Sequence, residues 1–393
     1  MNYDAIIIGG GPSGASTAIA LARQGRVVAL VERSAFPRSK VCGEFMSPVN
    51  LALLDKLGVG DHVRSLAGPE VRRLALFAAG SGVAARMPAA SSDHFGRALG
   101  RDVLDTLLLE AAVEAGVTVW QPWQAAAAFR SGDNWTTLIE SGSDQRTLSA
   151  PVLIAAHGSW ESGSLPSQVK KQHRPSDFLG FKAHFRDSGL AHDLMPLLVF
   201  PGGYGGMVWS DKGRMSLSCC IRRDKLNIVR SANRGLPAGE AVFRHILASC
   251  PSAAVVLRDA RVEGAWLAAG PIQPGARSCY VDDIFRVGNV AGESHPIIAE
   301  GISMGLQSGW LLASELGRVD VWDSAGRAKV GNRYSTAWHR QFGLRIFIAS
   351  ALAGLASRPL TADLMQRFVR AFPASLFLGA RLSGKTLTVP GLG

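Results

Sequence analysis

Gly9, Gly11 and Gly14 stand at the G-x-G-x-x-G spacing, and Glu32 follows 23 residues after the first of them. That pattern is chemistry for a dinucleotide. The first glycine permits a tight turn, the second lets a pyrophosphate approach the backbone, and the third lets a helix pack closely on a strand. A helix opening at Pro12-Ser13 would offer unpaired N–H groups and the positive end of its dipole to the phosphates. Glu32, with Arg33 behind it, is placed to accept hydrogen bonds from a ribose 2′-hydroxyl.

A second group of reactive side chains lies in Pro37-Arg38-Ser39-Lys40-Val41-Cys42-Gly43-Glu44. The cations Arg38 and Lys40 favour the thiolate of Cys42, the form that acts as a nucleophile. Cys42 can equally be a small apolar residue lining a cavity. Glu44 can serve as a general base, or pair with Arg38 or Lys40. His295, just before Pro296, is a candidate for proton transfer or for anchoring its loop by hydrogen bonds.

These groups need elements to hold them. Ala5-Ile6-Ile7-Ile8 reads as a buried strand, Ser13 to Gln24 as a helix, and Val27 to Val31 as a second buried strand. Two prolines and a glycine make 37–48 an ordered loop, and 49–57 reads as a short helix stopped by Gly58. Val71–Ala79 and Val83–Met87 look like strands. Arg101 opens a helix to about Ala115, with Leu104, Leu107, Leu108 and Ala111 on one face. A strand at 117–120 follows. Three extended pieces between 124 and 150, broken at Gly132 and Gly142, make a β-meander, and 152–156 is another buried strand.

Beyond 166 the pattern alternates. Phe181, Ala183 and Phe185 interleave with Lys182, His184 and Arg186, and Leu217, Cys219 and Ile221 repeat the period, as half-buried strands that wall a cavity. Phe285 to Asn289 returns to a buried strand, and a helix runs from about Gly301 to Leu316. The tail carries Arg340, Arg345, Arg358, Arg367, Arg370, Arg381 and Lys385 against one acid, Asp363. Over 362–372, Leu364, Met365, Phe368, Val369 and Phe372 form the apolar face of an amphipathic helix, expected to pack on the protein's own core more often than on lipid.

At 393 residues the chain can hold more than one core. Hydrophobic residues make up 47% and charged residues 19%, with a net charge of +11. Such a balance suits acidic partners, or a solvated basic surface with none. No zinc-finger or RNA-binding signature is present, so no nucleic acid is expected. No apolar run reaches the roughly 18 residues of a membrane span, and the first strand starts too early for a cleavable leader. The five cysteines show no metal-ligand spacing, so no metal is expected. Cys219 and Cys220 should place one thiol on each face of a strand. A reduced, cytoplasmic protein is the simplest expectation.

Five separated motifs over residues 1–316 resemble FAD-dependent oxidoreductases of the aromatic-hydroxylase fold, in the branch of geranylgeranyl reductases and related flavin monooxygenases. The Gly9/Gly11/Gly14 and Glu32 unit is similar to the family's ADP-binding unit, and Pro37–Gly43 to the P-R-x-K-x-C-G loop of the reductases. Arg101 with Leu104-Asp105 resembles an arginine-led helix that contacts FAD. Pro201-Gly202-Gly203-Tyr204-Gly205 resembles a G-Y-G turn, with Gly206 where a tryptophan is usual. Gly292, Pro296 and Glu300-Gly301-Ile302 resemble the segment whose helix start lies by the flavin ring. His157-Gly158 replaces the usual Asp-Gly, and Gly288-Asn289 the usual Gly-Asp.

The resemblance implies an α/β fold: a Rossmann-like FAD-binding domain with a β-meander (1–70, 97–165 and 275–320), an antiparallel-sheet substrate domain (71–96 and 166–274) and a C-terminal helical region (321–393). The expected FAD contacts are Gly9, Gly11, Pro12, Ser13, Gly14, Glu32, Arg33, Arg38, Lys40, Cys42, Arg101, Gly288, Asn289, Gly292, Pro296, Gly301 and Ile302. Cys42, Glu44 and His295 are the catalytic candidates. NAD(P)H as electron donor is left open by His157. The expected activity is a monooxygenase acting on a hydrophobic, phenolic or polyketide-derived small molecule of secondary metabolism. The alternatives are a reductase of prenyl-lipid double bonds and a non-catalytic flavin-binding protein. A halogenase is disfavoured because no W-x-W-x-I-P motif occurs. The basic tail offers a contact to a membrane surface or an acidic carrier protein.

Overall fold

The computed structural model describes residues 1–80, 82–89, 94–159, 163–170, 172–387, 389 and 392. The apolar runs Ala5–Ile8, Val28–Val31 and Val152–Ala155 are buried at every position, as the central strands of a sheet covered on both faces must be. With Thr118–Trp120 and Ile284–Arg286 they form a parallel sheet, closed at one edge by the antiparallel Tyr280–Val281. Helix Pro12–Ala22 covers one face and packs against helix Gly301–Leu316. The crossing is close because small residues meet there. A Cβ on Gly309 would overlap the Ser13 carbonyl, and the Ser16 hydroxyl donates to the Leu306 carbonyl at 2.9 Å. The other face takes the expected meander, Gln124–Ser131, Asn134–Ser141 and Asp144–Ala150.

The second large sheet has seven strands in the order 261–272, 178–186, 215–222, 203–209, 194–200, 73–77 and 83–86. All its pairings are antiparallel except that of Leu194–Phe200 with Arg73–Phe77. Its outer face packs Phe181, Ala183, Phe185, Leu217, Cys219 and Ile221 against helices Arg223–Ala232, Ala238–Ser249 and Pro251–Val256. These three helices, and Gly60–Leu66, lie outside the elements read from the sequence. The inner face carries Phe178, Tyr204 and Cys220. Cys219 and Cys220 do point to opposite faces, in separate clusters.

The tail is helical: Ser324–Ala356, Pro359–Ala371 and Ala374–Ala380. Of the seven bases read above as one basic tail, two are not surface residues. Arg345 and Lys385 are buried, Arg345 donating to Gln307 at 3.3 Å and Lys385 to Glu300 at 2.9 Å. The packed face of helix 359–371 also differs from the expected one. Ala362, Met365, Gln366 and Val369 turn inward, whereas Leu360, Leu364, Phe368 and Phe372 are exposed. Apolar residues span a wider arc than one neighbour can cover, so pattern alone could not choose the side.

Candidate functional site

A cavity of about 870 Å³ runs between the two sheets. Gly9, Gly11, Pro12, Ser13, Glu32, Arg33, Arg38, Lys40, Cys42, Arg101, Gly288, Asn289, Pro296, Gly301 and Ile302 all line it, as do Glu44 and His295. Residues scattered over three hundred positions thus converge on one space. Gly14 and Gly292 do not line it. A Cβ on Gly14 would overlap the Gly9 carbonyl oxygen, and one on Gly292 would overlap the Trp338 ring. Both glycines serve close packing.

At the glycine end the backbone is shaped for a ligand. Gly9 has φ +111°, and a Cβ there would collide with the Ala156 carbonyl. Helix Pro12–Ala22 has no side-chain cap and no acid in its first turn, leaving its first N–H groups for something else. Glu32 is held by the N–H groups of Gly10 and Ser34, both at 2.8 Å. Arg101 forms a two-point ion pair with Asp105, 2.7 Å on each limb, and burial notwithstanding this keeps its guanidinium firmly protonated. Arg38 sits between Glu32 at 3.4 Å and Asp105 at 3.5 Å, yet its Nε and Nη1 are buried with no partner. Orphaned donors at a cavity wall beside an uncapped helix fit an anionic, phosphate-bearing group.

The Cys42 thiol lies against the Arg101 guanidinium and accepts from the Glu44 N–H at 3.4 Å. Glu44 itself has a left-handed backbone, φ 64°, and turns away from Arg38 and Lys40. Its carboxylate is bound by Lys182 and by His184 Nε2, at 3.0 and 3.2 Å. Burial alone would raise this carboxyl, but the His184 hydrogen bond and the Lys182 charge hold it down to about 2. An ionised carboxylate so committed is a poor proton acceptor at neutral pH. Lys182 and His184 were legible only as the polar side of an alternating strand. Their signal was the lysine's place opposite a helix-packed face, and its partner came from 138 residues away.

His295 Nδ1 and the Tyr204 hydroxyl share a hydrogen bond of 2.9 Å, and the imidazole packs edge-on to Phe178. Burial lowers the His295 pKa to about 4 and raises that of Tyr204 well above its usual value. Both are therefore neutral at pH 7, the imidazole offering one donor and one acceptor nitrogen. His157 faces the same cavity. Its Nδ1–H donates to the Gly158 carbonyl at 3.0 Å, so Nε2 accepts from Ser167 at 2.9 Å. Burial, with the charges of Arg286 and Lys40, pushes its pKa down to about 4. The histidine is a neutral hydrogen-bonding group, electrically unlike an aspartate.

Away from the glycines the lining becomes apolar, with Leu74, Leu197, Met207, Leu267, Ile272 and Val369. Gly206 leaves the middle strand bare there, whereas Gly205 turns its missing side chain toward Cys219 on the other face. The start of helix 301–316 is fixed from below, where Glu300 takes hydrogen bonds from Ser47 at 3.3 Å and Lys385 at 2.9 Å.

A two-layered site of this kind, phosphate-ready at one end and apolar at the other, fits a nucleotide-bearing cofactor with a flat organic ring. The FAD binding domain family model matches residues 2–321, and the chain belongs to that family. It is 25% identical over 353 residues to digeranylgeranylglycerophospholipid reductase 2 of Methanopyrus kandleri, covering 87% of this chain and 84% of that protein. It is 33% identical over 159 residues to menaquinone reductase of Mycobacterium tuberculosis, a match spanning 39% of this chain and 37% of that protein. The solved flavin-dependent brominase Bmp2 shares the fold, with a TM-score of 0.76, 16% identity, and coverage of 98% of this chain and 94% of that one. The protein is an FAD-dependent oxidoreductase.

Proposed function

We propose that the protein is a monooxygenase acting on a hydrophobic, ring-bearing small molecule. Arg38, Arg101 and the start of helix 12–22 would hold the phosphates of FAD, Glu32 its ribose, and Asn289 and Gly301 the flavin half. When bound, FAD supplies the redox chemistry and the activation of oxygen. The chain supplies position, dryness and proton traffic.

The observation that carries this reading is Gly206, on the same face of its strand as Tyr204, which leaves a flat, bare patch in the part of the cavity lined by Leu74, Leu197, Leu267, Ile272 and Val369. A planar ring fits that surface, and the aliphatic wall excludes water from it. His295, held by Tyr204, orients the substrate's hydroxyl through a neutral hydrogen bond. The Glu44–Lys182–His184 unit fixes the loop that carries Cys42. Cys42, beside Arg101, stands where it can exchange a proton with the ligand.

The M. kandleri relative favours a second reading, reduction of carbon–carbon double bonds in a prenyl chain, to which an aliphatic cavity is equally suited. One experiment separates the two. FAD-loaded protein is supplied with NADPH and oxygen, or is reduced with stoichiometric dithionite before oxygen is admitted, in the presence of either long-chain phenols or prenyl lipids, and the products are weighed by mass spectrometry. Gain of one oxygen atom supports the monooxygenase; gain of two hydrogens per double bond overturns it in favour of the reductase. For Cys42, the Cys42→Ala variant is expected to retain bound FAD and lose turnover about tenfold or more. Unchanged turnover would leave the thiol as wall alone.

A further inference from the structure

The three tail helices leave apolar edges in solvent. On helix 324–356, Leu344 and Phe347 lie on one face three residues apart, Phe347 being 71% exposed, and Leu355 continues that face two turns on. On helix 359–371, Leu360, Leu364 and Phe368 follow at four-residue spacing, with Leu360 83% exposed, and the Phe368 ring lies against Phe372. Phe377, Leu378, Leu382 and Leu387 extend the exposed apolar set beyond 374. Helix 359–371 packs against both of its neighbours, so these edges belong to one helical unit. Scattered exposed leucines need no explanation, but eleven large apolar side chains exposed within 44 residues do.

Two further observations say what covers them. The first is charge. Arg340, Arg358, Arg367, Arg370 and Arg381 are exposed on the same unit, and from 324 to 387 the sole acid is Asp363, which pairs with Arg367 at 2.9 Å. The second is continuity with the cavity. Met365, Phe368, Val369 and Leu376 line it, and Phe368 is also 55% exposed, so the cavity reaches the surface at this helix. Among the described residues no helix is long and apolar enough to cross a bilayer.

We infer that the apolar edges of the tail helices dock on the surface of an anionic phospholipid bilayer, with Leu364, Phe368 and Phe372 entering the acyl boundary and the arginines meeting the headgroups. The cavity then opens toward hydrocarbon, and a lipophilic ligand enters without crossing water. An acidic protein would match the arginines but would leave the leucine and phenylalanine edges uncovered. The inference does not depend on which reaction the flavin carries out, since docking is read without turnover.

The test is flotation of the full-length, FAD-loaded protein with vesicles of phosphatidylglycerol and phosphatidylcholine, against vesicles of phosphatidylcholine alone. The wild type should float with the anionic vesicles, and less so at high salt. The variant Leu364→Ser/Phe368→Ser/Phe372→Ser should lose binding about tenfold or more by removing apolar burial. Arg358→Gln/Arg367→Gln/Arg381→Gln should lose it roughly tenfold to hundredfold on anionic vesicles. Undiminished bound FAD and melting temperature show that each variant is folded. No flotation of the wild type, or binding indifferent to both variants, overturns the inference. So does a stable dimer, by light scattering, that the serine variant dissolves while vesicles capture neither form.

Discussion

Two charged clusters border the cavity, and they differ in what they leave unfinished. Glu44, Lys182 and His184 satisfy one another: the carboxylate takes both partners at once, and all three are turned into the protein. Glu32, Arg38, Arg101 and Asp105 are as deeply placed, yet Arg38 keeps two nitrogens without partners and holds its acids at long range. Burial of an unpaired donor costs free energy unless a ligand completes it. The closed cluster therefore reads as a structural pin, and the open one as a binding site.

Substitutions can break that contrast. Lys182→Met strands an ionised Glu44 with His184 alone, and should cost about 3–5 kcal/mol of stability by denaturant unfolding, with FAD affinity changed far less. Arg38→Ala should do the reverse, lowering FAD affinity roughly tenfold to hundredfold in a flavin-fluorescence titration while leaving the apoprotein about as stable. If Arg38→Ala destabilises the apoprotein as much as Lys182→Met does, the two clusters are of one kind.

Acid sharpens the comparison further. His157 and His295 have folded pKa values near 4, below the ordinary 6.5, so between those values the unfolded chain binds more protons. The contribution of these histidines to stability should therefore fall as pH drops from 6.5 toward 4, and level off below. His295→Gln should remove about one proton from that slope, or about 1.4 kcal/mol per pH unit, read from unfolding free energy against pH. Glu44 acts in a lower window, since its stabilisation is present above 4.5 and lost as pH falls toward about 2. Lys182→Met should flatten that second window only. The smallest effect belongs to an exposed pair. Arg73 meets Asp193 at 2.6 and 2.7 Å in solvent, and Arg73→Gln should cost less than about 1 kcal/mol.

The nucleotide half was largely legible in the sequence. Its strands are uninterrupted apolar runs, its turn needs glycine at Gly9, and its acid lies at the end of the second strand, all local requirements that leave a local trace. The helices over 223–256 were harder to read, because they cover an amphipathic sheet and carry no motif. The departures at His157 and Asn289 were visible as letters. That His157 is neutral, with its imidazole tied to Gly158 and Ser167, was not.

Residue order alone thus set the fold class, the glycine turn before the first helix and the presence of a walled cavity, because each rests on periodicity or on backbone conformation within a few residues. Partnership was settled by packing. Glu44 meets Lys182 across 138 positions, Tyr204 meets His295 across 91, and Lys385 reaches Glu300 across 85. Packing likewise buried Arg345 and turned Phe368 outward, dividing one basic, apolar tail into a clamp beneath helix 301–316 and an exposed face. A charge or an apolar side chain declares its chemistry in the sequence, but what it touches depends on the tertiary surface brought against it.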